Sequence, residues 1–313
     1  MGTCVEYTKS PLTIQKQAHL LKSRGLLLNK PTQLEHYLAT IGYYRLSAYW
    51  LPFEQPSANG HRNHKFLPNT YFEQILELYV FDRKLRLLIM DAIERIEVSV
   101  RTQWANSMGI KFGSHAHMQA EHFKEPSQHS CDLAKIAAEL QASRESFVVH
   151  YKKNYKNPSL PPIWAIVETM SLGTLSRWLK NTVDNSVKKN IASKLNLPTA
   201  EILEDVLHRL TIVRNTCAHH GRIWNRRFTM KLPIIKQLRN EMIPPGRPDD
   251  PEHVKHLSHC LYNYLVVMAH LMQAINPCGS WKRRLLDLLS TMPTNYLKQM
   301  GFPDDWRGRA LWK

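Results

Sequence analysis

Apolar residues recur at helical spacing along most of the chain, whereas the strict alternation typical of a β-strand is almost absent. The clearest pattern follows Thr199, where apolar positions are spaced four and three residues apart. Its members are Leu203, Val206, Leu210, Val213 and Cys217. On a helix over 199–220 they project onto one narrow face, which predicts that this face packs in a core.

The opposite face of the same helix is polar. Its members are Glu204, His208, Thr211, Asn215 and His219. Arg214 projects about 100° from Asn215, at the flank of the apolar stripe, so its long side chain must bend to reach the polar face. The helix is expected to end at His220, with Gly221 in the left-handed conformation that commonly terminates helices.

Helical periodicity predicts further elements on both sides of this helix. Short helices are expected over 11–55, and the longer ones over 71–106, 132–151, 163–183 and 252–275. Gly173 interrupts the third of these longer segments. With only 12 glycines and few strand-like runs, the chain is predicted to be all-α, a helical bundle with an N-terminal helical extension.

The domain boundaries are less clearly marked than the helices. The polar stretch over 55–68 is the best candidate for a boundary. We therefore expect an N-terminal helical region over 1–68, a helical core over 69–275 and a C-terminal helical tail over 276–313. The three regions are also compatible with one continuous domain.

The charge of the chain narrows the class of partner. Its 313 residues contain 42 Lys and Arg against 26 Asp and Glu, a formal net charge of +16. Such an excess favours a polyanionic partner, either nucleic acid or an acidic membrane surface. The five cysteines form no Cys-x-x-Cys pair, which argues against a disulfide framework or a zinc ribbon. The first ten residues are polar, and no apolar run approaches the ~18 residues of a membrane span, so a cytoplasmic protein is expected.

Arg214, Asn215 and His219 have the side chains that RNA cleavage requires. An imidazole can take a proton from the attacking 2′-hydroxyl or give one to the leaving 5′-oxygen near neutral pH. A guanidinium can stabilise the extra negative charge on the phosphate oxygens. This scheme requires no metal and no cofactor. On the residues alone, a solvated polar helix face remains the commoner interpretation.

The sequence around these residues resembles a known family. Arg214 to His219 matches the Arg-x4-His signature of HEPN ribonucleases, and its surroundings resemble the hallmark segment of AbiD/AbiF-like abortive-infection (Abi) proteins. That segment reads Val213-Arg214-Asn215-Thr216-Cys217-Ala218-His219-His220-Gly221-Arg222-Ile223-Trp224-Asn225-Arg226. Further matching stretches in family order include Phe81-Asp82-Arg83-Lys84-Leu85-Arg86, Pro161-Pro162-Ile163-Trp164 and Gly301-Phe302-Pro303-Asp304-Asp305-Trp306.

The resemblance implies a HEPN-like helical bundle and metal-independent RNA cleavage in phage defence or toxin–antitoxin control. It also implies a homodimer in which two motifs face each other. Carried over by position, Arg214 would stabilise the phosphate, Asn215 would assist, and His219 would act as acid or base. The role of the adjacent His220 stays open. Many HEPN proteins carry an acidic residue on an earlier helix.

The resemblance implies that Glu94 or Glu97 would fill that acidic position; both share one face of the 71–106 helix with Arg101. A solvated ladder of salt bridges is the commoner explanation of the same three residues. The motif alone does not decide between the two glutamates.

Basic residues alternate with aromatic ones in two segments, a pattern typical of single-stranded RNA binding. The candidates in the first are Lys152 and Lys153, and those in the second are Arg222, Trp224, Asn225, Arg226 and Arg227. A packing edge with extended lysine side chains explains the first segment about equally well. The predicted partners are RNA, as substrate and as a noncoding antitoxin, and a second copy of the chain, with no membrane partner.

Two other features have simpler explanations. His253, His256 and His259, followed by Cys260, have metal-ligand chemistry, but one helix cannot direct three residues at this spacing to one ion. The basic run Lys282-Arg283-Arg284 is typical of a solvated surface. The alternative function is a non-catalytic RNA-binding regulator that holds a noncoding RNA through the same basic surface.

Overall fold

The computed structural model describes residues 10–56, 62–247, 249–251 and 256–313. Within these ranges every regular element is a helix, and extended pairing is limited to three isolated β-bridges. The predicted all-α fold class is thus confirmed. The chain divides into two compact units, Met1–Lys84 and Leu85–Lys313. The three regions expected from the sequence stay a prediction.

The first unit contains three short helices and the start of a long one. They are α1 (Ile14–Ser23), α2 (Pro31–Thr40), α3 (Tyr43–Trp50) and α4 (Phe72–Phe112), the last continuing into the second unit. Helix α1 begins where the Thr13 side chain accepts a hydrogen bond from the Lys16 N–H, an N-cap. Within this unit the buried Tyr49 hydroxyl donates to Asp82 Oδ2 over 2.6 Å.

Among its described residues, the second unit holds the remainder of α4 and nine later helices. They are α5 (Pro126–Ala142), α6 (Ser146–Asn154), α7 (Ile163–Ile166), α8 (Leu172–Asn181), α9 (Asn185–Lys194), α10 (Ala200–Ala218), α11 (Leu261–Ile275), α12 (Trp281–Ser290) and α13 (Thr294–Lys298). Their apolar side chains form the core of this unit.

Helix α10 packs against α8 and α9 by its apolar face. All five members of the predicted stripe are buried, with at most 4% of their surface exposed. The helix begins at Ala200 because the Thr199 hydroxyl accepts a hydrogen bond from the Ile202 N–H at 3.2 Å. The prediction that this face packs in a core is confirmed.

Two predicted helices are broken by side chains that compete with the helical backbone. The segment predicted over 132–151 forms α5 and α6, since Ser143 is extended and its hydroxyl accepts the Glu145 N–H at 3.2 Å. The segment over 163–183 forms α7, a 3-10 turn over Val167–Thr169, and α8, which Ser171 caps by accepting the Thr174 N–H. The interruption predicted at Gly173 was therefore wrong, because Gly173 lies in the first turn of α8.

Two helix ends also differ from the prediction. Helix α4 continues six residues beyond the expected end, to Phe112, and stops where Gly113 adopts a φ of 95°. Helix α11 begins at Leu261, after a short 3-10 turn over Leu257–His259. The first residues of the helix predicted over 252–275 lie outside the described ranges.

Candidate functional site

The C-terminal end of α10 carries the Arg-x4-His motif and has a defined backbone geometry. The His220 N–H donates to Cys217 O at 3.0 Å, and the Gly221 N–H donates to Thr216 O at 2.8 Å. These two bonds form a Schellman ending, in which the residue after the C-cap adopts a left-handed conformation. His219 is the C-cap, and the left-handed residue is His220, with a φ of 57°.

The left-handed conformation predicted for Gly221 was therefore wrong, but a glycine is required there for a different reason. A Cβ at Gly221 would lie 3.1 Å from both Cγ2 and O of Thr216. The close approach of the chain to the last turn of α10 leaves little room for a side chain, so the neighbouring atoms would have to shift to accept one. The ending directs His219 and His220 outward, and both are exposed.

Arg214 lies on the other side of this helix end, beside α4. Its side chain is half-buried and lines a cleft of about 390 Å³ together with Glu94, Glu97, Arg101 and Val98. The sequence left open which glutamate lies near the motif arginine, and the structure brings both into one cleft with Arg214. Apolar side chains, Leu87 among them, line the rest of this cleft, which we call the Arg214 cleft.

Glu97 and Arg101 form a buried ion pair on one wall of the Arg214 cleft. Arg101 Nη2 donates to Glu97 Oε1 and to the carbonyl oxygen of Met170, and Arg101 Nη1 lies 3.8 Å from Glu168 Oε2. Burial raises the pKa of the Glu97 carboxyl, while the positive charges of Arg101 and Arg214 oppose this shift. The solvated ladder that the sequence also allowed is wrong for this pair, since only 9% of Glu97 is exposed.

Glu94 and Arg214 form fewer polar contacts than Glu97 and Arg101 do. Glu94 is exposed within the Arg214 cleft. Among the described residues, the Arg214 side chain forms a single hydrogen bond, a long one of 3.4 Å to Asn215 Oδ1. Its guanidinium therefore keeps most of its donors available for a ligand.

The motif histidines are not part of the Arg214 cleft as it stands in one chain. Neither His219 nor His220 lines it, and Asn215 lies between, exposed and in contact with Arg214. The structure thus brings together the arginine, the amide and the acidic side chains of the motif region. The two imidazoles lie at the adjoining end of α10 and face solvent.

Trp224, the aromatic candidate of the second basic segment, has a structural role instead of the RNA-binding role that was predicted. Trp224 is fully buried, and its Nε1 donates to the carbonyl oxygen of Tyr296 at 3.2 Å. It therefore offers no ring face for stacking on a base, so the RNA-binding role assigned to Trp224 was wrong. An alternation of basic and aromatic residues does not tell which aromatic side chains point inward.

The other residues of the two basic segments differ in their availability. Arg226 and Arg227 are exposed, and Arg222 and Asn225 are partly exposed. Lys153 is exposed, whereas the Lys152 ammonium donates to the carbonyl oxygens of Leu140 and Gln141 at 2.7 and 3.0 Å. Lys152 thereby binds the C-terminal carbonyls of α5, which leaves Lys153 as the freer cation of the first segment.

Metal-ligating side chains do not cluster in the described part of the chain. No group of three or more His, Cys, Asp and Glu residues there is close enough to hold an ion. His253 lies outside the described residues, and His259 Nδ1 contacts Phe228 O at 2.9 Å. Among the residues that the structure describes, no helix has both the length and the apolar character needed to cross a bilayer.

Comparison with known proteins identifies the family. Searches of curated proteins and of solved structures found no match. A family model described as Abi-like protein matches residues 36–225, which is more than half of the chain and includes the long helix α4 and the motif end of α10. The chain therefore belongs to the Abi-like protein family.

Proposed function

We propose that this protein is a metal-independent endoribonuclease that acts as an abortive-infection or toxin-type effector of phage defence in the cytoplasm. The observation that supports it best is the arrangement at the end of α10. An arginine with most of its donors unused lines an open cleft, and an exposed imidazole follows five residues later on the same helix. Membership in the Abi-like family supports the defence role.

The chemistry assigns a separate role to each side chain. His219 transfers a proton, either from the 2′-hydroxyl or to the departing 5′-oxygen. Arg214 binds the nonbridging oxygens of the scissile phosphate, where negative charge increases in the transition state. Asn215, in contact with Arg214, orients its guanidinium. His220 supplies a second imidazole next to the first.

The acidic residues of α4 act on Arg214 rather than on the substrate in this scheme. Glu97 lies close enough for the charge of Arg214 to lower its pKa, and Glu94 lines the same cleft. Both carboxyls attract the guanidinium toward the α4 wall and set its position. The Glu97–Arg101 pair in turn anchors that wall to the carbonyl of Met170.

A second chain completes the site in this proposal. Cleavage needs an acid and a base on opposite sides of the phosphate, and His219 does not line the Arg214 cleft of its own chain. Two chains related by a two-fold axis near Asn215 and His219 would supply both groups. The apolar residues Leu87 and Val98 at the cleft, 59% and 47% exposed, are suited to such an interface.

The separation of His219 from the Arg214 cleft also favours a second candidate function. Without a partner chain the motif is a basic surface patch, which suits a non-catalytic regulator that holds a noncoding RNA. The two functions share the fold and the ligand class, and they differ in turnover. Arg226 and Arg227 would bind phosphates in either case.

A cleavage assay separates the two functions. Wild type should cleave single-stranded RNA in the presence of EDTA, and His219→Ala should reduce single-turnover cleavage by about 10²–10⁴-fold. RNA affinity should stay nearly unchanged, since little charge is lost. Arg283→Gln, which removes a charge from an exposed position on α12, is the matched control and should leave cleavage unchanged. Wild type that binds RNA without cleaving any RNA tried would favour the regulator.

Assembly is tested separately by sedimentation. The proposal expects a dimer at micromolar concentration, and Leu87→Glu should shift it toward monomer by placing a charge in the apolar part of the interface. Cleavage should fall with the dimer fraction. A wild-type monomer with full nuclease activity would contradict the two-chain site and leave the chemistry to one chain.

A further inference from the structure

A cavity of about 540 Å³ lies beside the segment that follows the motif. Two sequence motifs that are distant along the chain line it. Asn225 and Arg227 come from the motif segment, and Gln299, Phe302 and Asp304 come from α13's C-terminal end and the turn after it. We call this cavity the Asn225 pocket. Most of its lining lies beyond residue 225, where the match to the Abi-like family model ends.

Gly301 shapes one wall of the Asn225 pocket. It has a φ of 86°, and a Cβ there would lie 2.7 Å from Cys260 Cβ and 3.1 Å from the carbonyl oxygen of Leu257. Only glycine allows both this conformation and this close approach. The turn therefore holds Phe302 and Asp304 against the segment that precedes α11.

The pocket carries positive charge that is available to a ligand. The exposed Arg227 guanidinium forms no hydrogen bond or ion pair with any residue that the structure describes. Lys298 is paired with Asp304 at 2.8 Å, but their side chains are 55% and 78% exposed, so the pair is weak. An anion can displace Asp304 from Lys298 and bind both cations.

Polar and apolar groups lie next to this charge. Asn225 lines the pocket, and its Oδ1 is buried with no hydrogen-bond partner among the described residues, so rotation of this side chain toward a ligand breaks no hydrogen bond of that oxygen. The floor is neutral, since burial raises the pKa of the Cys260 thiol and Phe302 is apolar. Cations on one side, an unpartnered amide and an apolar floor suit a ligand with a phosphate, a hydrogen-bonding base and a flat ring.

We propose that the Asn225 pocket binds a nucleoside phosphate, as one nucleotide of the RNA strand. The phosphate contacts Arg227 and Lys298, and the base edge hydrogen-bonds to Gln299 and, once its side chain rotates toward the ligand, to the amide of Asn225. This inference rests on the proposed ribonuclease function, because Asn225 follows His219 by six residues and lies within about 22 Å of it. A strand bound in the pocket therefore extends toward the motif end of α10 and fixes which phosphate is cleaved.

The experiment uses the full chain, an oligonucleotide ligand and a set of small ligands. Fluorescence anisotropy measures the affinity for a 2′-O-methyl oligoribonucleotide, which lacks the attacking hydroxyl and stays intact whether or not the protein is a nuclease. Calorimetric titration measures the affinity for the four free nucleoside monophosphates and for inorganic phosphate. Hydrogen–deuterium exchange over 298–304 locates the bound ligand.

Arg227→Gln should weaken binding roughly tenfold or more, because charge-assisted hydrogen bonds to the phosphate are lost. Gln299→Glu, an exposed change, should weaken it by a similar factor through charge repulsion. Arg283→Gln is the matched control, since it removes the same charge from an exposed arginine on α12 that does not line the pocket. It should leave nucleotide affinity within about twofold and lower oligonucleotide affinity only through general phosphate contacts.

If free nucleotides bind the wild type and bind Arg227→Gln more weakly, the proposal is supported, and a free nucleotide is one possible ligand of the pocket. Binding by the oligonucleotide alone, with protection of 298–304, supports it with RNA as the source. Equal losses of affinity for Arg283→Gln and Arg227→Gln, without protection of 298–304, overturn it. Inorganic phosphate that binds as tightly as the nucleotides also overturns it, because no base is then recognised.

Discussion

Helix α10 carries two charged sites ten residues apart, and their surroundings are opposite. Near its start, Glu204 accepts a hydrogen bond from the Lys188 ammonium of α9 at 2.8 Å, and the two side chains are only 15% and 3% exposed. Near its end, Arg214 has no carboxylate within salt-bridge distance among the described residues and lines a cleft of about 390 Å³.

The difference distinguishes a charge that serves the fold from one that is available to a ligand. Removing Lys188 and Glu204 from water carries a large desolvation cost, which their attraction and hydrogen bond offset within the protein. Because at most 15% of either side chain is exposed, the pair is largely inaccessible to another molecule. Arg214 keeps unsatisfied donors at the surface, and the carboxyls nearby orient it without neutralising it.

The largest expected effect comes from breaking the buried Lys188–Glu204 ion pair. Glu204→Leu leaves the Lys188 ammonium buried without a partner and should lower the free energy of unfolding by about 3–5 kcal/mol. Urea denaturation measures the loss. The double change Lys188→Met with Glu204→Leu should recover most of it, since two apolar side chains replace the pair. A loss below about 1 kcal/mol in the single variant would show that the pair is solvated.

At Arg214 the expected effect is on the rate of RNA cleavage and not on the free energy of unfolding. Arg214→Gln should lower kcat/KM for RNA cleavage by about 10²–10³-fold, because the donors to the transition-state oxygens are lost. Its midpoint in urea should match that of wild type. Arg214→Lys keeps the charge without the paired donors and should fall between the two. A large loss of stability in Arg214→Gln would show that Arg214, like Lys188 and Glu204, serves the fold.

A third buried group allows the same comparison through pH. His117 is fully buried, neither ring nitrogen has a partner among the described residues, and burial first, then His115 and His129, lowers its pKa to about 3. The folded protein keeps His117 neutral, whereas the unfolded chain binds a proton below its ordinary pKa. Stability is therefore fully present above pH ~6.5 and should fall by about 2 kcal/mol at pH 5.

The variant His117→Phe tests that contribution. Urea denaturation at pH 7.5 and pH 5.0 should show a smaller difference in His117→Phe than in wild type. The pH dependence of cleavage between pH 6.5 and 8 should be the same in both proteins, since His117 is not at the proposed site. An unchanged stability difference would mean that other groups cause the loss at low pH.

The smallest expected effect concerns the backbone that carries His219. Gly221→Ala places a Cβ 3.1 Å from Thr216 and should lower the free energy of unfolding by about 1 kcal/mol. The rate of RNA cleavage should fall several-fold more than the loss of folded protein explains, because the added Cβ shifts the end of α10 that carries His219. Gly308→Ala is a control, since a Cβ there meets no atom within 4 Å. Equal effects of the two changes would remove the argument for a fixed helix end.

How much of the fold could be predicted from the sequence depends on the kind of interaction that determines each feature. The apolar stripe of α10 repeats within one helix, so periodicity alone identified its buried face. The breaks at Ser143 and Ser171 depend on local hydrogen bonds of single hydroxyl groups, which periodicity does not detect. A serine three residues before a threonine, as at Ser171 and Thr174, is a cap signal that was available.

The site could be predicted only in part for a similar reason. The motif marked Arg214 and His219, and the spacing of Glu97 and Arg101 on one helix allows them to pair, but the place of both beside Arg214 depends on contacts between helices more than 100 residues apart. The direction of a side chain is equally non-local. Trp224 packs on Tyr296, a residue whose proximity no local pattern indicates.

The Schellman ending of α10 has a consequence for the entropy of RNA binding. Two backbone hydrogen bonds already order the chain from Thr216 to Gly221, so a bound strand need not order it. Ordering a flexible loop would cost about 1–2 kcal/mol per residue at the moment of binding. Only the rotation of the His219 side chain remains, a picosecond-to-nanosecond motion in exposed residues. In the proposed cleavage reaction, the imidazole would therefore sample its proton-transfer positions much faster than a loop could close over RNA.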